Sequence, residues 1–243
     1  NPGINDFPLP DEKGDNYQIG LRTTAVRGLT LDFAYFHSNI DNYQIKSPVS
    51  DAAFNNTIYG MVDEVEINGF EIYSRLDSHP FTGGAFNVFG EANYTYSNSE
   101  IKEGFDSIGG AAVNVAGNRV PEVPRHFASL TLGVEERGLW DVSVTGTYIG
   151  EFFVDARNTH ASTCVDDDGA PTGCSGDGVV GKVDGQWLLS ARANYHVPNT
   201  NLSLFVSGQN LTNEFYVSDF SDGAKPGVGR TLWAGFTWKF DHE

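Results

Sequence analysis

The sequence is short of cysteine, of basic residues and of long apolar runs. It has 2 Cys and 1 Met among 243 residues, and 15 Lys and Arg against 32 Asp and Glu, for a net charge of −17. Proteins neutralise nucleic-acid phosphates with clustered Lys and Arg, so this balance argues against nucleic acid as a partner. No stretch approaches the roughly 18 consecutive apolar residues of a membrane-spanning helix. A form that crosses a membrane would therefore have to be a closed β-barrel.

Catalytic motifs and an N-terminal leader are also missing. No Ser stands in the GxSxG context of a nucleophile elbow, and the histidines show no metal-ligand spacing. We therefore expect no enzyme activity, no cofactor and no metal site. The chain opens at Asn1 without an initiator Met and without a charged-then-apolar leader, which indicates a piece of a longer precursor.

What the sequence does contain is glycine, aromatic rings and alternation. Gly numbers 28 and aromatics make up 13% of the chain, a composition that favours an all-β protein. About nine segments alternate between apolar and polar side chains, the pattern of strands with two different faces. In the last segment one face carries Leu232, Ala234, Phe236, Trp238 and Phe240, and the other carries Thr231, Gly235, Thr237 and Lys239.

The apolar faces of these segments have two possible environments. They would pack on each other in a soluble β-sandwich, and they would face lipid in an outer-membrane barrel whose polar faces line the lumen. In the barrel reading, Leu232, Phe236 and Trp238 face lipid and Thr237 and Lys239 turn inward. An Arg at Phe236, if near the midplane, should then cost about 2 to 4 kcal/mol, and far less at Thr237.

The lengths of the links between segments favour the barrel. Short links at residues 27–28, 79–84, 136–138 and 198–201 alternate with long ones at 46–62, 102–125, 154–184 and 218–229. Such alternation is typical of an up-and-down transmembrane barrel, with periplasmic turns at one rim and extracellular loops at the other. Unusually long runs at 29–45 and 201–217 point the same way. Nine strands cannot complete an even-numbered barrel, so further strands are expected outside this sequence.

The two cysteines lie close together in a polar segment. Cys164 and Cys174 are ten positions apart, on either side of VDDDGAPTG. This arrangement predicts a disulfide that closes an extracellular loop in an oxidising compartment. The alternative, a zinc or redox role, lacks nearby His or Cys partners.

The end of the chain carries motifs of a known family. NLTNEFY at residues 210–216 resembles the NLxDxxY signature of TonB-dependent receptors, with Asn213 where an acidic residue is usual. PGVGRT at 226–231 is similar to the PGxxRT before their last strand. WAGFTWKF at 233–240 resembles the closing strand that the barrel-assembly machinery reads, so Gly235, Trp238 and Phe240 are implied as an assembly signal. Three residues follow the normally terminal Phe.

Upstream segments resemble the same family in the same order. These are DNYQIGLR at 15–22, NGFE at 68–71 and GNRVPEVPRH at 117–126. The resemblance implies a barrel of about 22 strands with a plugged lumen, of which residues 1–243 would form the C-terminal wall. The plug and the TonB box would precede Asn1. It also implies an outer-membrane importer whose partners are a ferric chelate, the TonB complex, the assembly machinery and lipid.

Within the family, residues 148–159 look most like receptors of the ferric-citrate type. Guanidinium groups pair with carboxylates through two parallel hydrogen bonds and stay charged, so an anionic chelate should meet Arg or Lys near the bases of loops. The candidate ligand-binding residues are Arg157, Asn158, His160, Arg119 and Lys225. Arg157 is the first choice, because it follows the outer end of a strand. Arg125 and Arg230 are expected to anchor strand starts.

Other functions remain open at this stage. The same machine could import another ligand, such as a carbohydrate, on which loop aromatics would stack. A passive porin would lack a plug, and a secreted adhesion sandwich would bury its apolar strand faces in protein. On the lumen face, Glu91 and Arg192 are expected to form salt bridges between wall and plug; the alternative is that they line the path of the ligand.

Overall fold

Nine long antiparallel strands form a single meandering sheet. The computed structural model describes residues 10–51, 56–106, 112–165, 171–172, 178–219 and 224–240. Each strand pairs with its neighbour in the chain, in the order β1 to β9. The strands are β1 Lys13–Thr23, β2 Leu29–Asp51, β3 Asn56–Asp77, β4 Phe86–Glu103, β5 His126–Glu136, β6 Trp140–Ile149, β7 Gln186–His196, β8 Leu202–Gln209 and β9 Thr231–Trp238. The up-and-down prediction is confirmed, as nine strands of a partial, unclosed barrel wall.

The strand register gives the sheet one apolar and one polar face. Residues directly opposite each other on neighbouring strands share a face. One such row across β1 to β7 is apolar throughout: Leu21, Phe33, Ile72, Tyr94, Ala128, Tyr148 and Trp187. The adjacent row begins Arg22, Asp32, Tyr73, Asn93, Ser129 and Thr147. The alternation predicted from the sequence is therefore confirmed.

The apolar face is the outer side of the barrel wall. Its large side chains are exposed, with Ile19 at 71% and Leu132 at 60% of their full surface. A β-sandwich would bury such a face against a second sheet, whereas a transmembrane barrel presents it to lipid. The polar face is accordingly the inner one. Phe236 lies on the outer face opposite Leu204, two residues from the end of β9, and the cost of an Arg there stays a prediction.

Two expectations about strand ends were wrong. Residues 46–62 are not a long loop, because β2 and β3 continue as a hairpin to the pair Asp51 and Asn56. The extension is stabilised by Val62 and Val65, which are fully buried beyond the wall. Residues 201–217 are not one strand, because β8 ends at Gln209 where Asn210 takes a left-handed φ of 48°. Asn tolerates that conformation better than other non-glycine residues.

The remaining links differ in length as predicted. Short links at residues 24–28, 78–85, 137–139 and 197–201 mark the short-turn end of the sheet, and those at 104–125, 150–185 and 210–230 mark the long-loop end. One short link holds a single helical turn, α1 His79–Thr82, which ends at Gly83 with a φ of 61°. Among the described residues, no helix is long and apolar enough to cross a membrane.

The main buried core lies at the long-loop end, outside the wall. It joins the ends of β2, β3 and β4 to the first two long links through Ile45, Val62, Val65, Ile101, Val115, Val120 and Ala156. A second cluster joins Phe152 and Val154 to Val183 and Val217. Among the described residues, neither face of the wall packs on a buried cluster of this kind, as expected for a transmembrane barrel.

The residues of the implied assembly signal lie at the end of the last strand. Gly235 faces the Phe205 ring, and a Cβ added there would lie 2.8 Å from it. Trp238 is opposite Leu202 on the outer face. Phe240 follows β9 and is exposed. Their role in assembly stays a prediction.

Candidate functional site

The first two long links are joined by hydrogen bonds between their backbones and side chains. Asn158, with a φ of 54°, accepts from the Arg119 backbone N–H at 2.7 Å and donates to the Arg119 carbonyl at 2.9 Å. Asn118 donates to the Ala156 carbonyl at 2.8 Å. Two of the predicted site residues, Arg119 and Asn158, are thus brought together, and they hold the loops in place.

A buried carboxylate organises the second of these links. Asp155 is only 2% exposed and accepts hydrogen bonds from the Thr159 backbone N–H at 3.3 Å, the Thr159 hydroxyl at 3.0 Å and the Gly181 backbone N–H at 2.9 Å. Sequence reasoning missed this residue. The sequence did contain a local signal, an Asp four residues before Thr159, because Asp side chains often form hydrogen bonds with the backbone that follows them.

Arg157 forms an ion pair with the first long link. Its Nε donates to Asp106 Oδ2 at 2.6 Å, and the Asp106 side chain is buried. The pair spans 51 positions of sequence. The first-choice ligand residue is therefore at the predicted end of the wall, and part of its guanidinium is engaged by a buried carboxylate.

His160 and Lys225 occupy different surroundings. The His160 ring meets the edge of Phe153, with centroids 5.5 Å apart, and the Arg119 guanidinium lies 5.5 Å from the same Phe153 ring. Lys225 belongs to the third long link, where Lys225–Pro226 pairs with Val217–Asp219. The structure thus gathers four candidates in the first two links and places Lys225 in a ribbon of the third.

A basic cluster that sequence reasoning missed surrounds Glu151. Its carboxylate accepts from Lys182 Nζ at 2.9 Å and lies 3.9 Å from Arg119 Nη1. The hydrogen bond from Lys182 lowers the pKa of Glu151, and the charges of Lys182, Arg119 and Arg125 lower it further. Burial lowers the pKa of Arg119, and the like charge of Arg125 adds to this effect. Arg125 was expected only to anchor a strand.

The inner face of the wall carries its own ion pairs near the short-turn end. Arg75 binds Asp77 at 2.9 Å, contacts Glu91 and lies 3.6 Å from Glu135. On β7, Arg192 donates to Asn194 at 3.0 Å and lies over the Phe205 ring. Glu91 therefore has a partner within the wall. The predicted bridges from Glu91 and Arg192 to a plug remain predictions.

The NLTNEFY segment has a structural role. The Asn210 side chain donates to the carbonyls of Glu214 at 2.8 Å and Val228 at 3.1 Å, and accepts from the Glu214 N–H at 2.8 Å. Asn213 accepts from the Arg230 N–H at 3.0 Å. These contacts connect the end of β8 to the start of β9 across the third long link.

The disulfide prediction lies outside the described residues, because Cys174 does. The backbone of Cys164 belongs to the strand Thr163–Val165, which pairs with Pro171–Thr172 and with Gly178–Val180. The disulfide stays a prediction. In the part of the chain that the structure describes, no group of three or more His, Cys, Asp or Glu side chains is arranged to hold a metal ion.

Comparison with known proteins identifies relatives of the whole wall. A family model described as TonB dependent receptor-like, beta-barrel, matches residues 1–211. A hemophilin receptor of Acinetobacter baumannii is 26% identical over 259 residues, which cover 96% of this chain and 23% of that protein. The unliganded ferric citrate transporter FecA is 26% identical with a TM-score of 0.66, over 94% of this chain and 31% of FecA.

A third relative shares the fold at lower identity. The siderophore receptor PiuA from Acinetobacter baumannii is 21% identical with a TM-score of 0.61, over 93% of this chain and 28% of PiuA. The chain thus spans between 23% and 31% of the length of these three proteins.

Proposed function

Because this chain belongs to the TonB-dependent receptor family, we propose that it is the C-terminal wall of a transporter that imports an anionic ferric chelate, such as ferric citrate or a siderophore. The family resides in the outer membrane of Gram-negative bacteria. In this proposal a plug and a TonB-contacting segment belong to the rest of the protein. The energy for import then comes through the TonB complex, and the apolar outer face meets lipid after insertion by the assembly machinery.

The observation that carries the proposal is where the basic residues lie. Lys and Arg number only 15 in a chain of net charge −17. Six of them, Arg119, Arg125, Arg157, Lys182, Lys225 and Arg230, lie in the long links. Guanidinium and ammonium groups at the loop end suit a ligand rich in carboxylates. The ferric citrate transporter FecA is one of the relatives that cover nearly the whole chain.

Calorimetry on the full-length receptor tests this ligand class directly. We expect ferric citrate to bind and a neutral oligosaccharide not to bind. Binding of the oligosaccharide alone would favour a carbohydrate importer. Free passage of small solutes through the reconstituted protein, without saturable binding, would favour a passive porin.

Replacing Arg157 by Ala is expected to weaken ferric citrate binding about ten- to a hundredfold, the value of a charge-assisted contact. Lys at this position should restore the affinity only partly, because it keeps the charge and loses the planar fork. Calorimetry at two salt concentrations measures both variants.

The ion pair with Asp106 supplies the matched control for this prediction. Asp106→Asn removes the charge that Arg157 faces and leaves Arg157 in place. If Arg157 contacts the ligand, Asp106→Asn should bind ferric citrate at least as tightly as the wild type. Equal losses in Arg157→Ala and Asp106→Asn would mean that the pair only holds the loops together, and Arg157 would leave the site.

A further inference from the structure

Glu151 is a half-exposed carboxylate held by cations on more than one side. Lys182 donates to its Oε2 at 2.9 Å, and Arg119 Nη1 lies 3.9 Å from its Oε1. Arg119 also donates from Nη2 to the carbonyls of Val123 and Glu151, each at 3.1 Å, which fixes its guanidinium. The arrangement is that of a bound carboxylate, supplied in this case by the protein itself.

The cluster has more positive charge than Glu151 balances. Arg125 adds a third cation: the Gly150 N–H donates to the His126 carbonyl at 2.7 Å, so Arg125 and Glu151 lie on adjoining segments, and the charge of Arg125 lowers the pKa of both Arg119 and Glu151. Its Nε is buried and has no hydrogen-bond partner among the described residues. Asp184, 3.5 Å from Lys182, is a second acid, but its side chain is 90% exposed and its pairing is screened by water. Buried donors without acceptors are costly, so this position favours a further anionic group.

The cluster is reachable from outside and lies just beyond the end of β6. The Glu151 side chain is 50% exposed and the Arg119 side chain only 14%. Glu151 comes two residues after Ile149, the last residue of β6. Ile149 is opposite Phe127, and both belong to the inner row of the wall that also holds Glu71 and Thr95. The one carboxylate can therefore swing into water, while the cations beneath it are held more firmly.

We propose that Glu151 occupies the place of a ligand carboxylate, and that a polycarboxylate entering the receptor displaces it and binds Arg119, Arg125 and Lys182. This inference rests on the proposed function for its ligand class. Glu151 then competes with the ligand for the cations and so sets a threshold for binding. A monovalent anion only takes over the contacts that Glu151 already makes. A polycarboxylate takes over those contacts and also binds Arg125. Glu151 is in this sense a specificity-determining residue.

Metal-free citrate is the probe that separates this inference from iron import. In the full-length receptor, Glu151→Gln is expected to tighten citrate binding about ten- to a hundredfold, the range for a charge-assisted contact freed from competition. Arg125→Ala should weaken it about tenfold, and Glu151→Gln combined with Arg125→Ala should lose most of the gain. Calorimetry measures all three, with acetate as a monovalent comparison that gains less.

Asp184→Asn is the matched control, because it removes the other acid beside Lys182 at an exposed position, and citrate affinity should stay within about twofold. Unchanged or weaker citrate binding in Glu151→Gln, with the variant still folded by circular dichroism, would overturn the inference. So would an equal gain in Asp184→Asn, which would indicate net charge alone. Neither result bears on whether the wild-type receptor imports iron, because that is measured as TonB-dependent uptake.

Discussion

Val144→Arg is expected to destabilise the full-length barrel by about 2 to 4 kcal/mol, the cost of an Arg near the bilayer midplane. Val144 lies in the middle of β6, on the outer face, between Leu132 of β5 and Ala191 of β7. Both neighbouring strands belong to this chain, so the pairing on each side independently assigns Val144 to the outer face. Denaturant titration of the receptor in lipid vesicles measures the free energy of unfolding.

The adjacent residue provides the control for this substitution. Thr145 lies on the inner face, opposite Ser190, and its hydroxyl is 2.8 Å from that of Thr131. Thr131 is itself opposite Glu91, a carboxylate that an Arg at 145 can approach. We expect Thr145→Arg to cost less than about 1 kcal/mol. Equal costs at 144 and 145 would show that the assignment of outer and inner faces is wrong.

The second large effect concerns the loops. Asp155→Ala is expected to destabilise the local fold around Thr159 and Gly181 by about 3 kcal/mol, because a buried charged acceptor with three hydrogen bonds is lost and the Gly181 N–H loses this acceptor. Local opening should rise about a hundredfold. Amide hydrogen exchange at Thr159 and Gly181 measures it, since exchange reports the free energy of local opening.

Asp184→Ala serves as the comparison for the loop. It removes an acid from the same link at a position that is 90% exposed, and the expected change in local opening is below about 0.5 kcal/mol. Exchange at residues of β6 should not change in either variant, because the wall is stabilised independently of the loop. Unaltered protection in Asp155→Ala would mean that the loop is held by its apolar contacts alone.

The wall could be predicted from the sequence because the alternation of apolar and polar side chains can be read within each strand. Alternation decides which side chains meet lipid, and a register slip of one residue would turn every one of them around. The row from Leu21 to Trp187 was therefore implicit in the strand patterns. The strand ends were harder: residues 46–62 contain Pro48, Gly60 and small polar residues, yet β2 pairs with β3 in this region, next to a cluster in which Val62 and Val65 pack on residues distant in sequence.

The candidate site was less predictable because its contacts are long-range. Arg157 and Asp106 are 51 positions apart, and Lys182 and Glu151 are 31 apart, so no local pattern announces either pair. Sequence reasoning named Arg119, Arg157 and Asn158 from their position near loop bases. It assigned Arg125 to a strand start and missed the cluster around Glu151. That cluster forms only when the links fold together, so no local sequence pattern reveals it.

Radiolabelled iron uptake is the most direct test of the central claim, that this wall belongs to a TonB-dependent importer of an anionic ferric chelate. Cells that carry the full-length receptor are given iron-55 as ferric citrate, with and without a functional TonB. The account predicts saturable accumulation that requires both the receptor and TonB, and that excess gallium citrate suppresses. Accumulation that persists without TonB, or that ferric citrate does not support while another ligand is taken up, would contradict it.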